Sequence, residues 1–218
     1  MKKSFCLIFA FVLLLINTGV VIAKDNIKLS PKVKKIVKYA KNNNIAQSVE
    51  LYRTFSPKEA SEFALYLEKS PGELPPLYFV MTADHVYDTD KDKAVFMYNF
   101  GKVRAMEDVK MCKDTSAKQQ TMFYGLMAPK TLKYMQSIAT DIEYVSSLYN
   151  KIIEWDNLYD DRVSPAWACF HGIQAFSSRP ELLPDSEFEK IKNEMHESLK
   201  NVPQIIKDAA EEQQETNQ

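Results

Sequence analysis

Only five glycines occur in 218 residues, at positions 19, 72, 101, 125 and 172, and this scarcity bounds the fold more tightly than any other feature. A sandwich or barrel of short strands needs turn residues every 8–12 positions, and glycine supplies many of them. Here they are missing, while helix starts recur along the whole chain. The sequence therefore predicts an all-α protein, a single compact domain of packed antiparallel helical hairpins.

The first residues carry an address rather than a fold. Met1, Lys2 and Lys3 precede the apolar run from Phe5, and Val21-Ile22-Ala23 stands ahead of Lys24. A basic start, an apolar stretch and small residues at its end read as a secretory signal, cleaved after Ala23. An uncleaved membrane anchor is the competing reading, because the run approaches the roughly 20 residues needed to span a bilayer. Cleavage gives three parts: a signal peptide at 1–23, a helical domain at 24–202, and a frayed or disordered acidic tail at 203–218. The expected location is periplasmic or secreted, with no membrane association once the signal is gone.

Cleavage leaves 195 of the 218 residues and a net charge of −3, because the leader removes Lys2 and Lys3 and no acid. The tail accounts for that charge through Lys207 against Asp208, Glu211, Glu212 and Glu215. A neutral body has no basic excess to hold phosphate backbones, so nucleic acid is not an expected partner. Cys6 leaves with the signal. Cys112 and Cys169 remain, and in an oxidising compartment they are expected to form a disulfide.

Helix signals can be followed along the chain. Ser30-Pro31 is a cap with proline at the first helical position, and Val33, Ile36, Val37 and Ala40 follow at i, i+3, i+4 and i+7. Asn42-Asn43-Asn44 ends that helix, and a short one covers Ile45 to Tyr52. Ser56-Pro57-Lys58-Glu59 has the pattern of a capping box. It opens a helix burying Ala60, Phe63, Ala64 and Leu67. After the break at 71–76, Leu77 to Tyr87 is almost continuously apolar, as expected of a helix surrounded by others.

A long helix from Asp92 to Met111 then places Ala94, Gly101 and Ala105 on one face, where a neighbour can approach closely. Further helices are expected from Asp114 or Thr115 to Met127, and from Pro129 to Trp155 with one break. A short helix around Trp167 to Phe176 follows. The last begins at Pro184-Asp185 and reaches about Asn201.

Segment 75–112 resembles one helical hairpin of the tetratricopeptide or Sel1-like kind. Lys93-Ala94, Tyr98 and Gly101 reproduce the second-helix part, and Asp88 to Asp92 stand where such repeats turn. Thr82 and His85 depart from the small residue and the tyrosine that the first helix of such a repeat carries. The resemblance covers fewer than forty residues. It implies a protein-binding surface built from hairpins, with Tyr78, Phe96, Arg104 and Tyr124 as candidate contact residues.

Chemistry-bearing patterns are sparse. Asp88, Asp90 and Asp92 start like a calcium loop of the EF-hand type, but its sixth and twelfth positions, glycine and glutamate in such loops, are Lys93 and Asn99. The three acids read as a solvated turn and helix cap. No two histidines share a metal-binding spacing, and His196, set among charges, reads as exposed. G-x-S-x-G, H-E-x-x-H and glycine-rich phosphate loops are absent from the sequence.

No catalytic residue, cofactor or metal is therefore expected. The leading expectation is an exported helical domain that binds a protein, as an adaptor or a periplasmic immunity-type protein. The alternative is a small exported hydrolase using His85 or His171 with nearby acids.

Overall fold

The helix Lys91–Lys110, here α5, runs through the middle of the molecule, and fourteen of its twenty residues are buried. The computed structural model describes residues 28–177 and 179–216, so the signal peptide and cleavage site expected from the sequence lie outside the described residues. Within them the chain forms one all-α domain with no strand. No described helix is long and apolar enough to cross a membrane.

Before α5 come α1 (Pro31–Lys41), α2 (Ile45–Tyr52), α3 (Pro57–Lys69) and α4 (Leu77–Tyr87). The short α6 (Tyr124–Met127), then α7 (Pro129–Ile138), α8 (Ile142–Leu158), α9 (Ala166–Cys169) and α10 (Ser186–Thr216) follow it. Two 3-10 helices, Thr115–Phe123 and Ile173–Phe176, interrupt that second half.

Side chains set these boundaries by satisfying free backbone groups. The Glu59 amide donates to Ser56 Oγ and the Ser56 amide donates to Glu59 Oε2, closing the capping box of α3. Asp90 accepts from the Lys93 amide at 2.9 Å and starts α5, the helix-cap role read for it in the sequence. Asp141 does the same for α8 through the Tyr144 amide.

The α4–α5 hairpin is the most closely packed pair, and Gly101 is the reason. A Cβ there would stand 2.7 Å from both Phe79 Cβ and the Pro76 carbonyl oxygen. Hydrogen alone fits. Phe79, Phe100 and Phe96 then pack ring to ring, and Trp155 of α8 closes over Phe96 at a centroid distance of 4.9 Å.

Three expectations are corrected. The segment after Asp114 is a 3-10 helix to Phe123 with α-helix only from Tyr124, because its polar Lys-Gln-Gln-Thr run offers no apolar stripe to dock. The stretch around Trp167 to Phe176 divides into α9 and a 3-10 turn at Gly172. The final helix does not stop near Asn201 but continues through Pro203 to Thr216. Its first half is held by buried Ile191, Met195 and Leu199, and Gln204 to Asp208 and Lys207 to Glu211 pair along it beyond the proline.

Candidate functional site

Buried charge occupies the centre of the C-terminal half of α5. Arg104, Glu107 and Asp108 fall at i, i+3 and i+4 and all are buried, so the mostly buried helix carries three ionisable side chains on one face. Arg104 Nε donates to Asp156 Oδ1 of α8 at 2.7 Å, its Nη1 donates to the Pro71 carbonyl at 3.2 Å, and its Nη2 donates to the Tyr159 carbonyl. His196 Nε2 of α10 bonds the other oxygen of Asp156 at 2.9 Å. Arg162 Nη2 donates to Glu107 Oε2 at 2.7 Å, and Trp167 Nε1 donates to Asp108 Oδ2 at 2.7 Å.

The electrostatics divide these acids. Burial, with the Asp156 charge added, pushes Glu107 up to about 7, and burial pushes Asp108 up to about 6. Burial also pushes Asp156 up, but the His196 hydrogen bond and the two guanidiniums outweigh it and hold the carboxyl at about 2. Glu107, Asp156 and His196 each bring one ligand-capable atom within 4.8 Å of the others. Arg104 and Arg162 already take Asp156 and Glu107, and two guanidiniums at that range oppose a further cation. The cluster is a clamp.

What it clamps is the strap that follows α8. The Val163 amide donates to the Gly72 carbonyl at 2.9 Å, and a Cβ at Gly72 would fall 1.7 Å from the Asp161 carbonyl oxygen. Further along, Cys169 joins Cys112 in a disulfide, the bridge expected from the sequence. Gln120 donates to the Ala168 carbonyl, the Ile173 amide donates to Ser116 Oγ at 2.8 Å, and the Gln174 amide donates to Asp114 Oδ2 at 2.8 Å. The two 3-10 helices and the short α6 and α9 thereby form one stapled platform.

This platform holds most of the exposed bulky apolar side chains among the described residues. Phe176 is 93% exposed, Met122 79%, Leu126 77% and Ile173 69%, with Phe123, Phe170 and Met127 also open. Scattered surface apolar residues need no explanation, but seven on two bonded segments do. Beside α8 lies a separate groove of about 720 Å³, lined by Phe96, Leu148, Trp155 and Tyr159 with Glu68, Lys93 and Lys151 among its charged residues.

The sequence-derived contact residues lie inside. Tyr78, Arg104 and Tyr124 are buried, and Phe96, also buried, reaches only the lining of the groove. In the folded chain they support surfaces rather than form one: Tyr78 bonds Ser48, and the Tyr124 phenol is pushed up by burial with Asp108 nearby. His196 is a correction as well, since it is buried on Asp156 rather than exposed among charges.

Among the described residues, the histidines of the hydrolase alternative meet aromatic side chains and no carboxylate hydrogen bond. His85 Nδ1 meets the Tyr52 hydroxyl at 2.8 Å, while its neighbour Asp84 accepts from the Lys130 and Thr131 amides and caps α7. His171 lies edge-on to Trp167. Burial pushes both histidines below their ordinary range.

Helical periodicity in the sequence does not single out the platform. Its signal is Met122-Phe123 followed by Leu126-Met127, beside a polar run that cannot bury them. Comparison with family models, curated proteins and solved structures returns no match for this chain.

Proposed function

We propose that this chain is an exported protein-binding domain without catalytic activity, and that the disulfide-stapled platform is its contact surface. One observation carries the reading. Seven large apolar side chains stay open on segments that a disulfide and a buried ion cluster hold in place. A surface rich in Phe and Met and poor in charge has the composition of an interface core. The clamp supplies rigidity, which lowers the entropy lost on docking. The disulfide fits an oxidising compartment and hence export. An adaptor and a periplasmic immunity-type protein both need such a surface and no chemistry, and the Tyr52 and Asp84 bonds around His85 support the non-catalytic side.

The test is affinity capture from the compartment where the protein is oxidised. Phe176→Ser and Leu126→Ser are expected to lose the retained partner, and His85→Gln and His171→Gln to keep it. The reverse pattern favours the hydrolase.

A further inference from the structure

Resting on the reading of the platform as a protein-binding surface, we infer that its partner is a second copy of this chain, joined about a two-fold axis through the two 3-10 segments. Area is the first argument. The exposed parts of Phe123, Phe170, Phe176, Met122, Leu126 and Ile173 come to roughly 800 Å² per copy, half of what a standard stable interface buries.

Charge is the second. Across residues 115–127 and 166–177 only Lys118 is formally charged, in a chain that is 26% charged. An isologous interface sets every residue's surroundings against their own copy, so a patch with net charge repels itself. This one does not. Beside it Lys113 pairs with Glu181 at 2.7 Å, and Asp114 accepts from Ser116 and from the Gln174 amide within the copy. Homodimer interfaces are also the more apolar class, and the open side chains of this platform include Phe123, Phe170, Phe176, Met122, Leu126 and Ile173.

The experiment uses protein recovered from the oxidising compartment with the N-terminus the cell leaves. Sedimentation is expected to give a dimer at about micromolar concentration. Phe176→Asp and Leu126→Asp, both at exposed positions, should each raise the dissociation constant by about 30-fold or more, because each substitution acts at two symmetric places. Unchanged helical circular dichroism certifies their folding. In parallel, a benzophenone photo-crosslinker at position 176, or at 126 as a second site, reads the neighbour inside the cell. A product of twice the chain's mass supports the second copy. A product with a different protein overturns it while leaving the platform as a protein-binding surface. A monomer through about 100 μM with no crosslink from either position overturns both.

Discussion

Arg104 and Asp156, 52 residues apart in sequence, form an ion pair of 2.7 Å with both side chains almost wholly removed from solvent. Such a pair gives little net stability against apolar residues of the same shape, yet breaking it strands a charge in the interior. Arg104→Met is therefore expected to cost about 3–5 kcal/mol. Arg104→Met with Asp156→Leu, which removes both charges, should lose less than Arg104→Met alone. Urea denaturation of the three proteins measures this, and a double variant weaker than the single one would refute it.

The same cluster gives stability a pH profile. Glu107 and Asp108 keep protons in the folded chain, up to about 7 and about 6, that the unfolded chain releases near 4.5 and 3.8. The folded state binds more protons in that window, so stability falls as pH rises through it. Asp156, held at about 2, works the other way, and its contribution is lost as pH falls from 3.8 toward 2. For these three groups together the optimum is expected at about pH 4. Glu107→Gln should flatten the decline between pH 5 and 8, as followed by denaturant midpoints.

Backbone signals were readable in the sequence, and side-chain partnerships were not. Ser56 with Glu59, Asp90 ahead of α5 and the small face at Ala94, Gly101 and Ala105 act within a few residues, so their consequences show locally. The clamp joins Arg104 to Asp156, Glu107 to Arg162 and Asp108 to Trp167 across more than fifty positions. A charged residue reads as exposed unless its partner is known, and so the sequence alone sets His196 outside and Arg104 at a surface. The spacing of Arg104, Glu107 and Asp108 on one face of an otherwise buried helix was the available clue.

Gly101→Ala tests the hairpin. Alanine improves helix propensity by about 1 kcal/mol, which alone would stabilise α5. The added Cβ meets the Pro76 carbonyl oxygen and Phe79 Cβ at 2.7 Å, neither of them the end of a flexible side chain. Separating α4 from α5 costs about 1–3 kcal/mol or more, so the clash wins and the melting temperature should fall. An equal or higher melting temperature would show that the helices separate freely.

The disulfide and the clamp hold the platform independently, and removing one should reveal the other. Cys112 and Cys169 are separated by 57 positions, and opening such a loop is expected to lower stability by about 4 kcal/mol. The helical hairpin of α4 and α5 lies outside that loop, and Trp167 still bonds Asp108 within it. Cys112→Ser with Cys169→Ser should therefore stay helical by circular dichroism while melting several degrees lower. Amide hydrogen exchange should accelerate first in Thr115–Phe123 and Ile173–Phe176, which are tied by the Ile173 amide to Ser116 and the Gln174 amide to Asp114, with Gln120 reaching the Ala168 carbonyl of α9. Protection lost first in α4 and α5 would mean that the bridge secures the core rather than the platform.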